Sequence, residues 1–87
     1  MVEVYLPVAL RGLAGGRTTV MAQGQTVRAL VQDLERQYPG IQSALCQGDA
    51  LRPGLAAVVN GAASPMGIYQ PVPDQAEVHF LPAIGGG

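Results

Sequence analysis

Thr26-Val27-Arg28-Ala29-Leu30-Val31-Gln32-Asp33-Leu34-Glu35-Arg36-Gln37-Tyr38-Pro39-Gly40 is the stretch on which the fold turns. Val27, Leu30, Val31, Leu34 and Tyr38 recur at helical spacing and make one apolar stripe, with Arg28, Gln32, Asp33, Glu35 and Arg36 on the other side. Thr26 is a good N-cap, its hydroxyl able to take one of the orphan N–H groups of the first turn. Pro39-Gly40 ends the helix, because proline cannot continue it and glycine readily takes the left-handed conformation beyond it. A helix with one apolar face must bury that face against one side of a sheet, and no second helix is long enough to cover the sheet's other side.

The flanking segments read as its strands. Val2, Val4 and Leu6 alternate with Glu3 and Tyr5 up to Pro7, which predicts a strand over 2–7. Residues 17–22 read as a returning strand, joined to the first through the turn-rich Arg11–Gly16 as an antiparallel hairpin. Beyond the helix, 41–46 supplies one or two helical turns and 48–54 a loop. Ala56-Ala57-Val58-Val59 is a short apolar run before Asn60-Gly61, the strongest two-residue hairpin signal. Residues 67–69 read as a brief edge strand or turn. The last strand, 76–81, carries Val78 and Phe80 on one face and Glu77, His79 and Leu81 on the other, and Pro82 ends regular pairing. The expected class is α+β: a mixed four- to five-stranded sheet with one main helix packed on one face. Residues 1–81 form the domain and 82–87 a flexible glycine tail. The last strand belongs centrally, beside the first, because such a tail needs a rigid base.

Composition bounds the function. The chain has 87 residues, 48% hydrophobic and 13% charged, which suits one small folded domain. Five arginines, no lysine and six acids give a net charge of −1, without the basic face that nucleic acid requires. The N-terminus lacks the positive start of a signal peptide, and no apolar run approaches the roughly 18–20 residues of a membrane span. The expectation is a soluble cytoplasmic protein without membrane or nucleic-acid partners. Cys46, the single cysteine, has no internal disulfide partner.

Catalytic constellations are missing. His79 is the one histidine and has no second ligand at metal-binding spacing. Cys46 has no neighbouring cation to lower its pKa, and the carboxylates are scattered. Gly12-Leu13-Ala14-Gly15-Gly16 lacks the Lys-Ser/Thr pair of a phosphate loop and precedes a strand rather than a helix. The reading is a protein that is not an enzyme, with no metal and no bound cofactor. The chemistry is left to Ile84-Gly85-Gly86-Gly87. A C-terminal glycine offers the least hindered carboxylate of any residue, and glycines before it can lie extended in a channel too narrow for side chains. Both properties suit a group carrier that hands its terminus to a partner's active site.

The same residues carry a family resemblance. Pro82-Ala83-Ile84-Gly85-Gly86-Gly87 resembles the P-x-V-(Ser/Ala)-G-G ending of the ubiquitin-like sulfur carriers, the MoaD/ThiS family. Val58-Val59-Asn60-Gly61 resembles the family's V-N turn, and Thr26-Val27 with Leu30 and Leu34 its helix start. Asp74-Gln75-Ala76-Glu77-Val78 stands where the family has its G-D-E-V lead into the last strand. Leu6-Pro7-Val8-Ala9-Leu10-Arg11 with Gly15-Gly16 is similar to the subset that supplies sulfur for cysteine synthesis. Two positions depart from the pattern: Gly85 replaces a small side chain, and Gln75-Ala76 replaces Gly-Asp.

The resemblance implies a β-grasp fold and a reaction cycle. An E1-like enzyme uses ATP to adenylate the Gly87 carboxylate, and sulfur transfer converts it to a thiocarboxylate. That species gives sulfur to a second, biosynthetic enzyme, making cysteine, molybdopterin, a thiazole or another thio-metabolite. The alternative is a protein modifier joined to lysine through the same glycine. In either case Gly86, Gly85 and Ile84 thread the partner's channel. The sheet face left open by the helix, expected to carry Tyr5, His79 and Leu81 with Ala57 or Val59, is the docking surface.

Overall fold

The structure is a computed structural model and describes residues 1–63 and 65–82. Strand β1 (Val2–Tyr5) pairs antiparallel with β2 (Thr19–Ala22), matching Val4 with Val20 and Tyr5 with Thr19. Helix α1 (Val27–Gln37) follows, with the Thr26 hydroxyl accepting the Ala29 N–H at 3.1 Å. The cap and the stop before Pro39 lie where the sequence puts them. Next come a short helix α2 (Ile41–Leu45) and a tiny hairpin of β3 (Cys46–Gln47) with β4 (Ala50–Leu51). Strand β5 (Leu55–Val59) turns through Asn60-Gly61 into β6 (Ala62–Ala63). Asn60 at φ 49° and Gly61 at φ 82° give the turn the left-handed geometry that this dipeptide favours. The last strand, β7 (Glu77–Pro82), lies between β1 and β5, in the spatial order β2-β1-β7-β5-β6. It runs parallel to β1 and antiparallel to β5. A mixed five-stranded sheet holding one main helix, with first and last strands side by side at its centre, is the β-grasp arrangement.

The core lies between one sheet face and the two helices. Val2, Val4, Val20, Ala22, Val78 and Phe80 meet Val27, Leu30, Val31 and Leu34, with Ile41 and Leu45 closing one end. Tyr38, the last residue of the expected stripe, caps α1 and packs half-buried at the margin of this core. No charged or polar side chain is buried among the described residues, so the interior rests on apolar packing. Carboxylates fasten the helices from outside. Asp33 accepts from the backbone N–H of Gln23 and from Gln37, each at 3.0 Å, and pairs with Arg36. Glu35 accepts the N–H groups of Gly40 and Gln42, closing the α1–α2 corner.

Several elements differ from the sequence reading. The first strand stops at Tyr5, because Pro7 has no N–H and opens a 3-10 helix over Val8–Ala14 where a turn-rich loop was expected. Of the two readings for 67–69, edge strand or turn, the structure shows the turn, a 3-10 one with Ile68 buried. Strand β7 starts and ends one residue later than the expected 76–81, with Pro82 in register against Leu55.

Candidate functional site: the open sheet face and the root of the C-terminal segment

Among the described residues nothing covers the side of the sheet away from the helices, and strand alternation sets what it presents. Residues directly opposite on paired strands share a face, so the register assigns each one. His79 lies between Tyr5 on β1 and Val58 on β5. Leu81 lies opposite Ala56, and Glu3 between Met21 and Glu77. Leu81 and Met21 are both more than two-fifths exposed, while Tyr5, His79, Ala56 and Val58 are half-buried. Tyr5, His79 and Leu81 therefore occupy the open face, as the alternation predicts.

Val59 does not. It is 6% exposed and pairs with Val78, whose side chain is fully buried in the core. Ala57 is buried likewise, opposite Phe80. The open-face positions of β5 are Ala56 and Val58. In Ala56-Ala57-Val58-Val59 every residue is apolar, so the sequence holds no alternation to tell the two faces apart, and a one-residue slip exchanges them.

At the centre of the face two aromatic rings lie flat together. Tyr5 and His79 stack with centroids 4.0 Å apart and planes 3° from parallel. Each is tied to an acid on its own strand: the Tyr5 hydroxyl donates to Glu3 Oε1 at 2.9 Å, and His79 Nε2 donates to Glu77 Oε1 at 2.8 Å. Glu3 and Glu77 are themselves register partners. Donation to Glu3 raises the Tyr5 pKa above its ordinary value, helped by partial burial and the charges of Glu3 and Glu77. The phenol therefore stays protonated throughout the physiological range. The face is a flat stacked pair with acids at one end and the apolar Val58, Ala56 and Leu81 beside and beyond it.

The route from this face to the C-terminal residues is short. Strand β7 is held on both edges, and its last described residue, Pro82, leads directly into Ala83. Ile84, Gly85, Gly86 and Gly87, the expected channel-threading and reacting positions, lie outside the described residues. Among the described residues no group of three or more His, Cys, Asp and Glu could hold a metal ion. Cys46 is partly buried against the core, and desolvation pushes its thiol pKa up, away from the reactive range. No described helix is long and apolar enough to cross a membrane.

Sequence reasoning missed the cleft beside Pro82 and the close approach of Gly24 to α1. The cleft joins residues distant in the chain, the Gly24 approach depends on the backbone path into the first turn of α1, and neither leaves a periodic signal.

Comparison with known proteins extends these observations. The ThiS family model matches residues 4–87, so the match runs through the glycine segment. Sulfur carrier protein CysO of Mycobacterium tuberculosis is 36% identical over 93 aligned residues, covering 99% of this chain and 98% of that protein. In the crystal structure of the Amycolatopsis orientalis BexX/CysO complex, the matched chain superposes with a TM-score of 0.90 at 31% identity, each chain covered in full. The small archaeal modifier protein 1 of Methanosarcina acetivorans superposes with a TM-score of 0.77 at 25% identity, covering 99% of this chain and 95% of that one. An uncovered sheet face leading into a C-terminal glycine segment, on a β-grasp scaffold matched over its whole length, places the chain in the ThiS family.

Proposed function

We propose that this protein is a sulfur carrier whose reacting group is the carboxylate of Gly87. The observation that carries the reading is the full-length match to a sulfur carrier protein together with a family match that includes Gly85-Gly86-Gly87. In the proposed cycle the carboxylate oxygen attacks the α-phosphorus of ATP in an E1-like enzyme, releasing pyrophosphate and leaving an acyl adenylate. A sulfur nucleophile delivered by that enzyme system displaces AMP at the carbonyl carbon, and the product is a thiocarboxylate. A biosynthetic enzyme then takes the sulfur into its product, and water attacks the carbonyl carbon as the C–S bond breaks, so that the carboxylate returns. The chain supplies the carried group and the partners supply catalysis. Cysteine formation is the acceptor pathway favoured here, because the relative matched over its full length is a CysO.

The folded body has its own part in this cycle. Ordering four to six terminal residues in a channel costs on the order of 4–12 kcal/mol of backbone entropy, so the tail alone binds poorly. The open face of Tyr5, His79, Leu81, Val58 and Ala56 supplies the remaining contact. Burying some 300–400 Å2 there contributes roughly 7–10 kcal/mol before association costs. The Amycolatopsis CysO is seen in complex with BexX, so a protein partner has a precedent among the relatives.

The test is intact-mass spectrometry after incubation with an E1-like enzyme, ATP and a sulfur source. Exchange of one carboxylate oxygen for sulfur adds ~16 Da, the signature of a loaded carrier. The likeness to the archaeal modifier gives the competing outcome, an isopeptide adduct on a lysine without any such species, and that result would replace the carrier reading. Gly86→Ala and Gly87→Ala place a Cβ in the channel and should abolish loading, whereas Gly85→Ala should load normally.

A further inference from the structure

The helix side of Pro82 carries a feature that the open face does not explain. A cleft of about 250 Å3 opens there, lined by Pro7, Leu10, Pro53, Leu55 and Pro82 among others, with Arg52 the one charged residue among the described lining. Its walls come from opposite edges of the central strand. On the β1 side the chain turns away at Pro7 into the 3-10 helix, and on the β5 side it arrives through Pro53 and Gly54 before Leu55 pairs with Pro82. The end of β7 at Pro82 therefore lies between these walls. Ala9 and Pro53 of this lining are exposed, and Val8, between Pro7 and Ala9 in the chain, is 75% exposed. Arg52 Nε donates to the Ser43 carbonyl at 2.7 Å, which anchors its guanidinium at the rim.

We propose that this cleft seats the lip of the enzyme channel that receives the C-terminal residues: an apolar loop of that enzyme bearing a carboxylate for Arg52. The inference rests on the carrier reading above and adds a second contact to it, on the opposite side of the strand from the open face. The length of the remaining chain supports it. Ala83 to Gly87 is five residues, which at full extension span at most about 16–18 Å. A carboxylate delivered to a buried reaction centre over so short a reach requires the channel mouth to close against the body on every side of Pro82. Leu81 and Ala56 meet the mouth on the open face, and the cleft meets it on the helix side. The lining is apolar apart from one cation, so the complementary lip is apolar with one acid. A carrier whose tail alone entered the partner would have no use for an apolar cleft at its root.

Steady-state adenylation, followed as ATP–pyrophosphate exchange by the same E1-like enzyme, tests this with full-length variants. Ala9→Glu and Arg52→Glu both change exposed positions, and Arg28→Glu, on α1 away from the cleft, repeats the charge reversal as a control. The expected result is a KM for the carrier raised on the order of tenfold by each cleft variant with kcat unchanged, the thermal midpoint unchanged in Ala9→Glu and lowered only slightly in Arg52→Glu through loss of the Ser43 bond, and Arg28→Glu like wild type. KM values within twofold of wild type for both cleft variants would overturn the proposal. So would a lowered KM, which would mean that the cleft holds the protein's own terminal residues in competition with the enzyme. Failure of wild type to react at all would sink the carrier reading instead, so the two failures are distinct.

Discussion

Gly24 offers the sharpest test of how the helix sits on the sheet. It lies between β2 and α1, and a Cβ built there would stand 2.6 Å from the backbone nitrogen of Leu30, 2.8 Å from the Ala29 carbonyl carbon and 2.9 Å from Ala29 Cβ. Ordinary contact is about 3.5–4.0 Å, so Gly24→Ala demands a relative movement of nearly 1 Å. The obstacle is helix backbone, which cannot swing aside as a side chain does. The neighbouring bonds resist too: Gln23 N–H to Asp33 at 3.0 Å and Val72 N–H to the Gln25 carbonyl at 2.8 Å hold both ends of the connection. Overpacking of this kind costs about 2–3 kcal/mol. In a domain of this size that lowers the thermal midpoint by roughly 10–20 °C. Gly12→Ala is the matched control, because a Cβ there meets nothing within 4 Å and the residue lies within a helical segment. It should leave stability unchanged or raise it by up to about 1 kcal/mol, through loss of freedom in the unfolded chain. Urea and thermal denaturation of both variants decide the matter. A Gly24→Ala midpoint within 1–2 °C of wild type, far below the several degrees that about 1 kcal/mol produces, would refute the close approach.

Three further outcomes are expected. Leu81→Glu should weaken binding to the activating enzyme while shifting the thermal midpoint little, since Leu81 is 44% exposed; titration calorimetry beside a melt checks it, and unfolding would return Leu81 to the core. Asp33 and Glu35 are held below the usual carboxylate range, Asp33 first by the Gln23 N–H and Glu35 first by the Gln42 N–H. Their stabilisation is therefore present above the unfolded carboxylate pKa of about 4 and is lost as pH falls through their lower folded values. A urea series from pH 7 to 2.5 should show this loss and show it reduced in Asp33→Asn/Glu35→Gln; equal losses in the two proteins would count against it. Gln75 sits at φ 62°, a conformation that costs a residue with a Cβ roughly 1 kcal/mol or more, so Gln75→Gly should raise the midpoint by a few degrees and Gln75→Val lower it. The opposite ranking would contradict the assigned backbone.

What could be read from the sequence depended on whether one residue's environment is decided locally. The helix was legible because Thr26, the 27–34 stripe and Pro39 act within a few residues of each other, and the structure keeps all three. The last strand was legible because Val78 and Phe80 alternate with Glu77 and His79 before Leu81 and Pro82. Strand β5 was legible as a strand but not in its facing, since only pairing with β7 decides that Val59 is core and Val58 is not. Strands β3 and β4 have two residues each, too few for any period. Gln75 shows a further kind of information: it occupies a left-handed position where the family pattern has glycine, so the departure noted in the sequence has a definite backbone cost.

The central place of β7 also has a consequence for how the protein is made. Its pairing with β1 joins segments separated by about seventy residues, and among the described strands β5 has β7 as its only long neighbour. During synthesis the β1–β2 hairpin and α1 emerge early, yet the strand that unites the sheet is the last of the described elements to leave the ribosome. Until then Val2, Val4, Val20 and the α1 stripe have only an incomplete sheet to bury against, and closing so long a loop is slow. A chain interrupted before Glu77 would stay open to proteases and chaperones. Translation order thus imposes a quality check: only a polypeptide extended through β7 can complete the sheet, and the glycine segment lies immediately behind that strand.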